Sequence, residues 1–189
     1  FDISKENFEK ANLDLAKNIV RMMGMTEGCT DNDLFLKSVT TMHTKEPSYT
    51  SAYYLYKLYA GRGDVDNAVK YMNEAISAEE SDAVTDGGYY YELAAFCYKN
   101  GKNAMAYEAA LKVADLEPAL AGKAYMLIGT IWGSLVCGGN DIEQRAKYWV
   151  AVDYMNKAKA ADETLAEDAA DHIRQYAAYY PQTAEAFMY

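Results

Sequence analysis

Apolar positions recur at steps of three and four along almost the whole chain. Phe8, Ala11, Leu15, Ile19 and Met22 fall on one helical face, the period an amphipathic helix requires. Ser4 precedes them as an expected N-cap and Gly24 follows as an expected stop. After a loop over residues 24–31, a short helix carries Phe35, Val39 and Met42 and ends near Pro47. The period-two alternation of strands is missing. Tyr53-Tyr54-Leu55-Tyr56 has high β-propensity, but Leu55, Leu58 and Tyr59 continue it at helical steps, so it predicts helix.

The pattern also repeats. Leu55, Tyr59, Gly63, Ala68, Met72 and Ala75 are spaced 4, 4, 5, 4 and 3 apart. Leu93, Cys97, Gly101, Ala106, Ala110 and Val113 reproduce those spacings 38 residues later. A third copy starts at Tyr125, Ile128, Gly129 and Trp132, and resumes at Ala151, Met155 and Ala158 after an insertion. Each copy reads as two antiparallel helices joined by a tight turn, at Gly63-Asp64 and at Asn100-Gly101 in the first two. The small residues Ala68, Ala106 and Ala151 let the second helix approach the first, and Leu55, Leu93, Ile128 and Trp132 fill the space beside them.

At these residues the sequence resembles the tetratricopeptide (TPR) family, with its pattern W-x2-L-G-x2-Y, then A-x3-F, A and P. The second copy matches best, with Tyr90, Leu93, Ala94, Ala106 and Pro118 in place. The first has Tyr56 where a small residue belongs and ends at Glu80 instead of proline. The third carries ten extra residues before Ala151. The resemblance implies an all-α, right-handed TPR-like helical solenoid of about nine helices. Its parts are a degenerate leading pair (1–47), repeats at 48–86, 87–121 and 122–163, and a capping helix (164–181). The cap is read from the stripe Leu165, Ala169, Ile173, Tyr176 and Tyr180, with Asp162 as N-cap and Pro181 as stop. The segment 148–154, with Cys137-Gly138-Gly139 before it and Tyr180-Pro181 after it, also resembles the end of exported TPR proteins of Gram-negative anaerobes. That implies a periplasmic or otherwise exported setting, with the cytoplasm as the alternative.

Composition narrows the function. With 51% apolar residues the chain is not disordered. Its apolar stretches, such as 124–132, fall well short of the ~20 residues of a membrane span. A net charge of −10 and the absence of any Lys/Arg cluster argue against nucleic acid and anionic membranes. Cys29, Cys97 and Cys137 form no CxxC; one bridge with one free thiol, or three free thiols, both fit. The chain opens on Phe1 with no h-region, which reads as a processed or trimmed piece.

Candidates for chemistry are few. HExxH, GxSxG and GxxxxGK[ST] do not occur. His43 and His172 read as surface histidines. Asp31-Asn32-Asp33 opens like a calcium loop but has Phe35 where an oxygen ligand belongs, so it reads as a polar helix start. Arg62-Gly63-Asp64 spells an adhesion tripeptide, but the turn already explains Gly63 and the cap explains Asp64, so it reads as a turn. The acidic groups Glu79-Glu80-Asp82 and Glu163, Glu167, Asp168, Asp171 read as solvated surface. Cys137 lies in the insertion, and Cys97 holds a core position. No catalytic set, cofactor site or metal site is expected.

What remains is a surface. The TPR resemblance implies a concave groove lined by the first helix of each pair. Its positions fall on Thr50, Tyr53, Lys57 and Ala60; on Gly88, Tyr91, Ala95 and Tyr98; and on Lys123, Met126, Thr130 and Gly133. Among the 18 tyrosines, the spacing places Tyr59, Tyr90 and Tyr125 in the core. It leaves Tyr53, Tyr91 and Tyr98 either to a binding surface, where rigid amphipathic rings are favoured, or to contacts between repeats. The basic clamp by which some TPR domains hold chaperone C-termini falls here on Tyr53, Lys57, Glu92, Lys123 and Leu127, and keeps only two lysines. The expectation is a non-catalytic module that binds a protein or peptide segment in its groove. The alternative is a structural segment of a larger exported repeat protein, stacked on further repeats or on itself.

Overall fold

The computed structural model describes residues 2–26, 28–79 and 81–180, and of residues 2–9 the backbone alone. The chain divides into two units, 1–81 and 82–189. The described residues are helical with no strand.

The first unit holds α1 (Asp2–Gly24), α2 (Asp33–Lys45), α3 (Tyr49–Gly61) and α4 (Val65–Ile76). Here α1 pairs with α2 and α3 with α4, and α2 packs on α3. Each start has a sequence cause. The Asn32 carboxamide accepts the Phe35 N–H at 2.9 Å and opens α2, as the polar-start reading expects. Ser48 and Ser51 form a reciprocal capping box at the head of α3. Asp64 accepts the Asn67 N–H at the head of α4. The helix over 53–56 is thus present, and the Arg62-Gly63-Asp64 tripeptide serves a turn.

The second unit holds α5 (Ala83–Lys99), α6 (Asn103–Leu116), α7 (Ala121–Ser134), α8 (Asp141–Ala161) and α9 (Ala166–Ala177). Short 3-10 turns precede α7 and α9. Its pairs are α5 with α6 and α7 with α8; α6 packs on α7, and α9 closes against α8. The insertion in the third copy is divided between the loop after α7 and an elongated α8, 21 residues against 12 in α4 and 14 in α6. Asn140 and Glu143 cap α8 reciprocally.

The repeated positions form the core. Leu55, Ala68, Met72, Ala75, Cys97, Ala106, Ala110, Val113, Ile128, Ala151, Met155 and Ala158 have no exposed surface, and Leu93 has almost none. Burial pushes the Cys97 thiol above its ordinary pKa, as befits a small core hydrophobe. Gly63 and Gly101 both take φ near +74°, the left-handed conformation that their turns require. Asp162 starts the turn before α9, where the Thr164 hydroxyl and amide hold its carboxyl below the usual range.

Three expectations need correction, and others fall on residues outside those described. α1 begins at Asp2, so Ser4 lies within the helix and does not cap it. The stripe through Leu15 and Met22 faces solvent: they are 58% and 67% exposed, and α1 buries Ala16 and Val20 instead. His43 is half-buried and bonded. Glu80, Pro181 and the Phe8 side chain lie outside the described residues.

Candidate functional site

In the first unit, the loop before α2 and one side of α3 enclose a cleft of about 380 Å³. Thr30, Asp31, Phe35, Tyr53, Tyr54, Lys57, Leu58 and Gly61 line it. Phe35 makes an apolar floor because α2 delivers it fully buried onto Leu55 and Leu58. Tyr54 meets its ring edge-on at 6.0 Å. Lys57 Nζ lies 5.3 Å from the centre of the Tyr53 ring and 5.8 Å from that of Tyr56, within cation–π range. Arg62 reaches Asp31 (3.7 Å) and Asp33 (3.1 Å), joining the end of α3 to the start of α2. The cleft therefore has aromatic walls, one ammonium and one carboxylate. Of the sequence-predicted residues it contains Tyr53 and Lys57. Thr50 is exposed in the first turn of α3 and does not line it. Phe35, Tyr54 and Asp31 were not among the groove positions; the only signal for them was the polar start at 31–33.

In the second unit, α5 presents Tyr91 and Tyr98 half-buried and Ala95 exposed, and α7 presents Lys123 exposed with Met126 and Thr130 half-buried. α9 lays Tyr176 over this part of α7. A Cβ on Gly133 would stand 2.5 Å from the Tyr176 ring, so the missing side chain makes room for it. The Tyr176 hydroxyl bonds Thr130 and lies near that of Tyr98; burial foremost, then Tyr98, pushes its pKa up. Thr130 also donates to the Met126 carbonyl at 2.8 Å. Lys123 stands near the Asp162 cap. Tyr98, Thr130 and Gly133 thus gather around a tyrosine of the chain's own last helix. Beside it Tyr148 stacks on Tyr179 at 5.0 Å.

A second polar cluster was not anticipated. His43 Nδ1 lies 2.8 Å from Ser51 Oγ, and Nε2 lies 2.9 Å from Glu74 Oε2. A carboxylate only accepts, so Nε2 is the donor of that pair. A hydroxyl, an imidazole and a carboxylate in line suggest nucleophilic catalysis, but Ser51 has no exposed surface and its hydroxyl also donates to the Ser48 carbonyl. The cluster ties α2, α3 and α4 together. Replacing His43 by Ala is expected to lower the stability of the first unit by about 1–2 kcal/mol, through loss of two hydrogen bonds, one to a charged group; urea unfolding followed by circular dichroism measures it. Among the described residues no group of His, Cys, Asp and Glu is arranged to hold a metal ion, and the three cysteines are unpaired.

Successive helix hairpins that bury the same positions define an all-α helical-repeat fold of the TPR-like class. One solved structure agrees in fold. MamA protein, a TPR-repeat protein, superposes with a TM-score of 0.58 at 21% identity over 87% of this chain and 78% of that one. PilF of Pseudomonas aeruginosa superposes with a TM-score of 0.49 at 16% identity, over 96% and 80%. No protein-family model and no curated protein matches the chain. No helix among the described residues is long and apolar enough to cross a membrane.

Proposed function

We propose that the chain is a non-catalytic protein–protein interaction module that holds a protein or peptide segment, with the tyrosine-bearing face of α3 in the first unit as its contact surface. The observation that carries this reading is the cleft beside α3. Its walls of Tyr53, Tyr54 and Phe35, with Lys57 poised over the Tyr53 ring, combine apolar area with few, fixed polar groups. Rings with two torsions lose little entropy on binding, so such a wall favours capture of an apolar side chain. In the other unit Tyr91 is the half-buried ring that α5 adds, while Tyr98 packs beside Tyr176. Nucleic acid is a poor occupant for a chain of net charge −10.

The test is a comparison of native-partner capture by the wild type and by the triple variant Tyr53→Ala, Tyr91→Ala, Tyr98→Ala. Capture is expected to fall at least tenfold, roughly one lost anchor of 1.4 kcal/mol or more, with the helical circular dichroism unchanged. Undiminished capture by a folded triple variant refutes the reading.

One observation favours a second role, as an assembly segment of a larger exported repeat protein. The first unit leaves an apolar outer face on α1, where Leu15 and Met22 are exposed and Met25 follows at 84%. Large apolar side chains exposed along one helix favour association.

A further inference from the structure

We infer that the first unit pairs with a second copy of itself through the solvent side of α1, the two helices antiparallel and centred near Asn18. The inference rests on the assembly reading and names its partner. Ala11, Leu15, Asn18 and Met22 share one strip of α1, at steps of four, three and four, and all are exposed, while Ala16 and Val20 opposite them are buried. Single exposed apolar residues are ordinary. Two large ones on one strip, on a helix whose other side already forms the core, leave a second apolar face uncovered.

The flanking charges select the occupant. Asp14 and Arg21 lie seven residues apart on the same edge of the strip, and both are exposed; Arg21 is steadied by a bond to the Asn18 carboxamide. A two-fold axis perpendicular to α1 sets like edge against like edge and reverses the direction. With its centre near Asn18, Leu15 of one copy falls within a residue of Met22 of the other, and Asp14 falls within a residue of Arg21. Symmetry makes each contact twice. A parallel pair would set this edge against the opposite one, which carries Asn12 and Ile19, and would gain no charge pair. Head-to-tail stacking on α9 is disfavoured as well. That helix exposes Glu167, Asp168, Asp171 and Arg174, with no large apolar side chain fully exposed to match Leu15 and Met22. The contact is therefore isologous and closes at the dimer. One helix against one helix belongs to the weak, concentration-dependent class of interfaces.

Sedimentation equilibrium of the full chain over a wide concentration range tests this. A monomer–dimer equilibrium is expected, weakened by salt. Leu15→Glu with Met22→Glu should raise the dissociation constant at least ~100-fold, since two apolar side chains leave the contact. Asp14→Arg alone or Arg21→Asp alone should raise it ~tenfold, and the two together should restore it to within about threefold of wild type. These charge variants are at exposed positions, so they remain informative if the double glutamate variant misfolds. A wild type that stays monomeric, or that grows beyond the dimer, overturns the inference. Additive losses in the double charge variant overturn the antiparallel pairing and leave the assembly reading standing; association indifferent to Leu15→Glu with Met22→Glu overturns both.

Discussion

Phe35→Ala is expected to destabilise the first unit by about 3–5 kcal/mol, the range for removing a fully buried aromatic side chain. Phe35 is 1% exposed and packs with Val20 of α1, Val39 of its own helix, and Leu55 and Leu58 of α3. Deleting its ring leaves a hole at the point where those helices meet. A natural domain has only about 5–15 kcal/mol in hand, so this one change consumes a large fraction of it. In urea the unfolding midpoint should fall by at least about 1 M, taking a slope of 1–3 kcal/mol/M. Phe35→Leu, which keeps most of the volume, should cost about 1.5 kcal/mol or less. The same ring floors the cleft beneath Tyr53 and Lys57. Phe35→Ala should therefore weaken partner capture even under conditions where the unit is still folded. Equal midpoints for the Leu and Ala variants would show that the ring does not sit at this junction.

Much of the fold was legible because spacing is a direct record of packing. Ala68, Ala106 and Ala151 could be placed on the inner side of their helices from register alone, and all three are fully buried. Register also located both turns, since a φ near +74° leaves few choices besides glycine. It failed on α1 for a definite reason. Leu13, Ala16, Val20 and Met23 recur at helical steps as well as Leu15, Ile19 and Met22 do, so the helix carries two apolar stripes. Period alone does not say which stripe meets α2. The structure buries the one through Ala16 and Val20, where the short side chain of Ala16 permits close approach. The site was harder to read. Tyr53 and Lys57 came from the TPR resemblance, but the floor of their cleft comes from Phe35 of α2. The His43–Ser51–Glu74 cluster joins residues 8 and 31 apart across three helices, a contact with no periodic signature.

The crossing of α7 and α8 gives the second large effect. Gly129 stands where a Cβ would come within 2.8 Å of Met155 Cε and 3.0 Å of the Ala151 carbonyl oxygen. The Met155 terminus can swing aside, whereas the carbonyl belongs to the α8 backbone and moves only with the helix. Gly129→Ala therefore sets a steric cost at that carbonyl against a gain of about 1 kcal/mol in helix propensity, and should destabilise far less than a larger side chain. Gly129→Leu is different in kind. Its added carbons have no space between the helices and must drive α8 away, opening contacts of Ile128, Ala151, Met155 and Ala158, all of which are fully buried. Overpacking at a helix contact of this sort should cost about 3 kcal/mol or more. For a chain of this size that is a fall in Tm of roughly 6–12 °C, readable by calorimetry. The ordering of the two variants is the diagnostic. If Leu were tolerated as well as Ala, the repeat spacing that places Gly129 opposite Ala151 would not describe a close helix crossing, and the register assigned to the third repeat, from Tyr125 to Ala158, would have to shift.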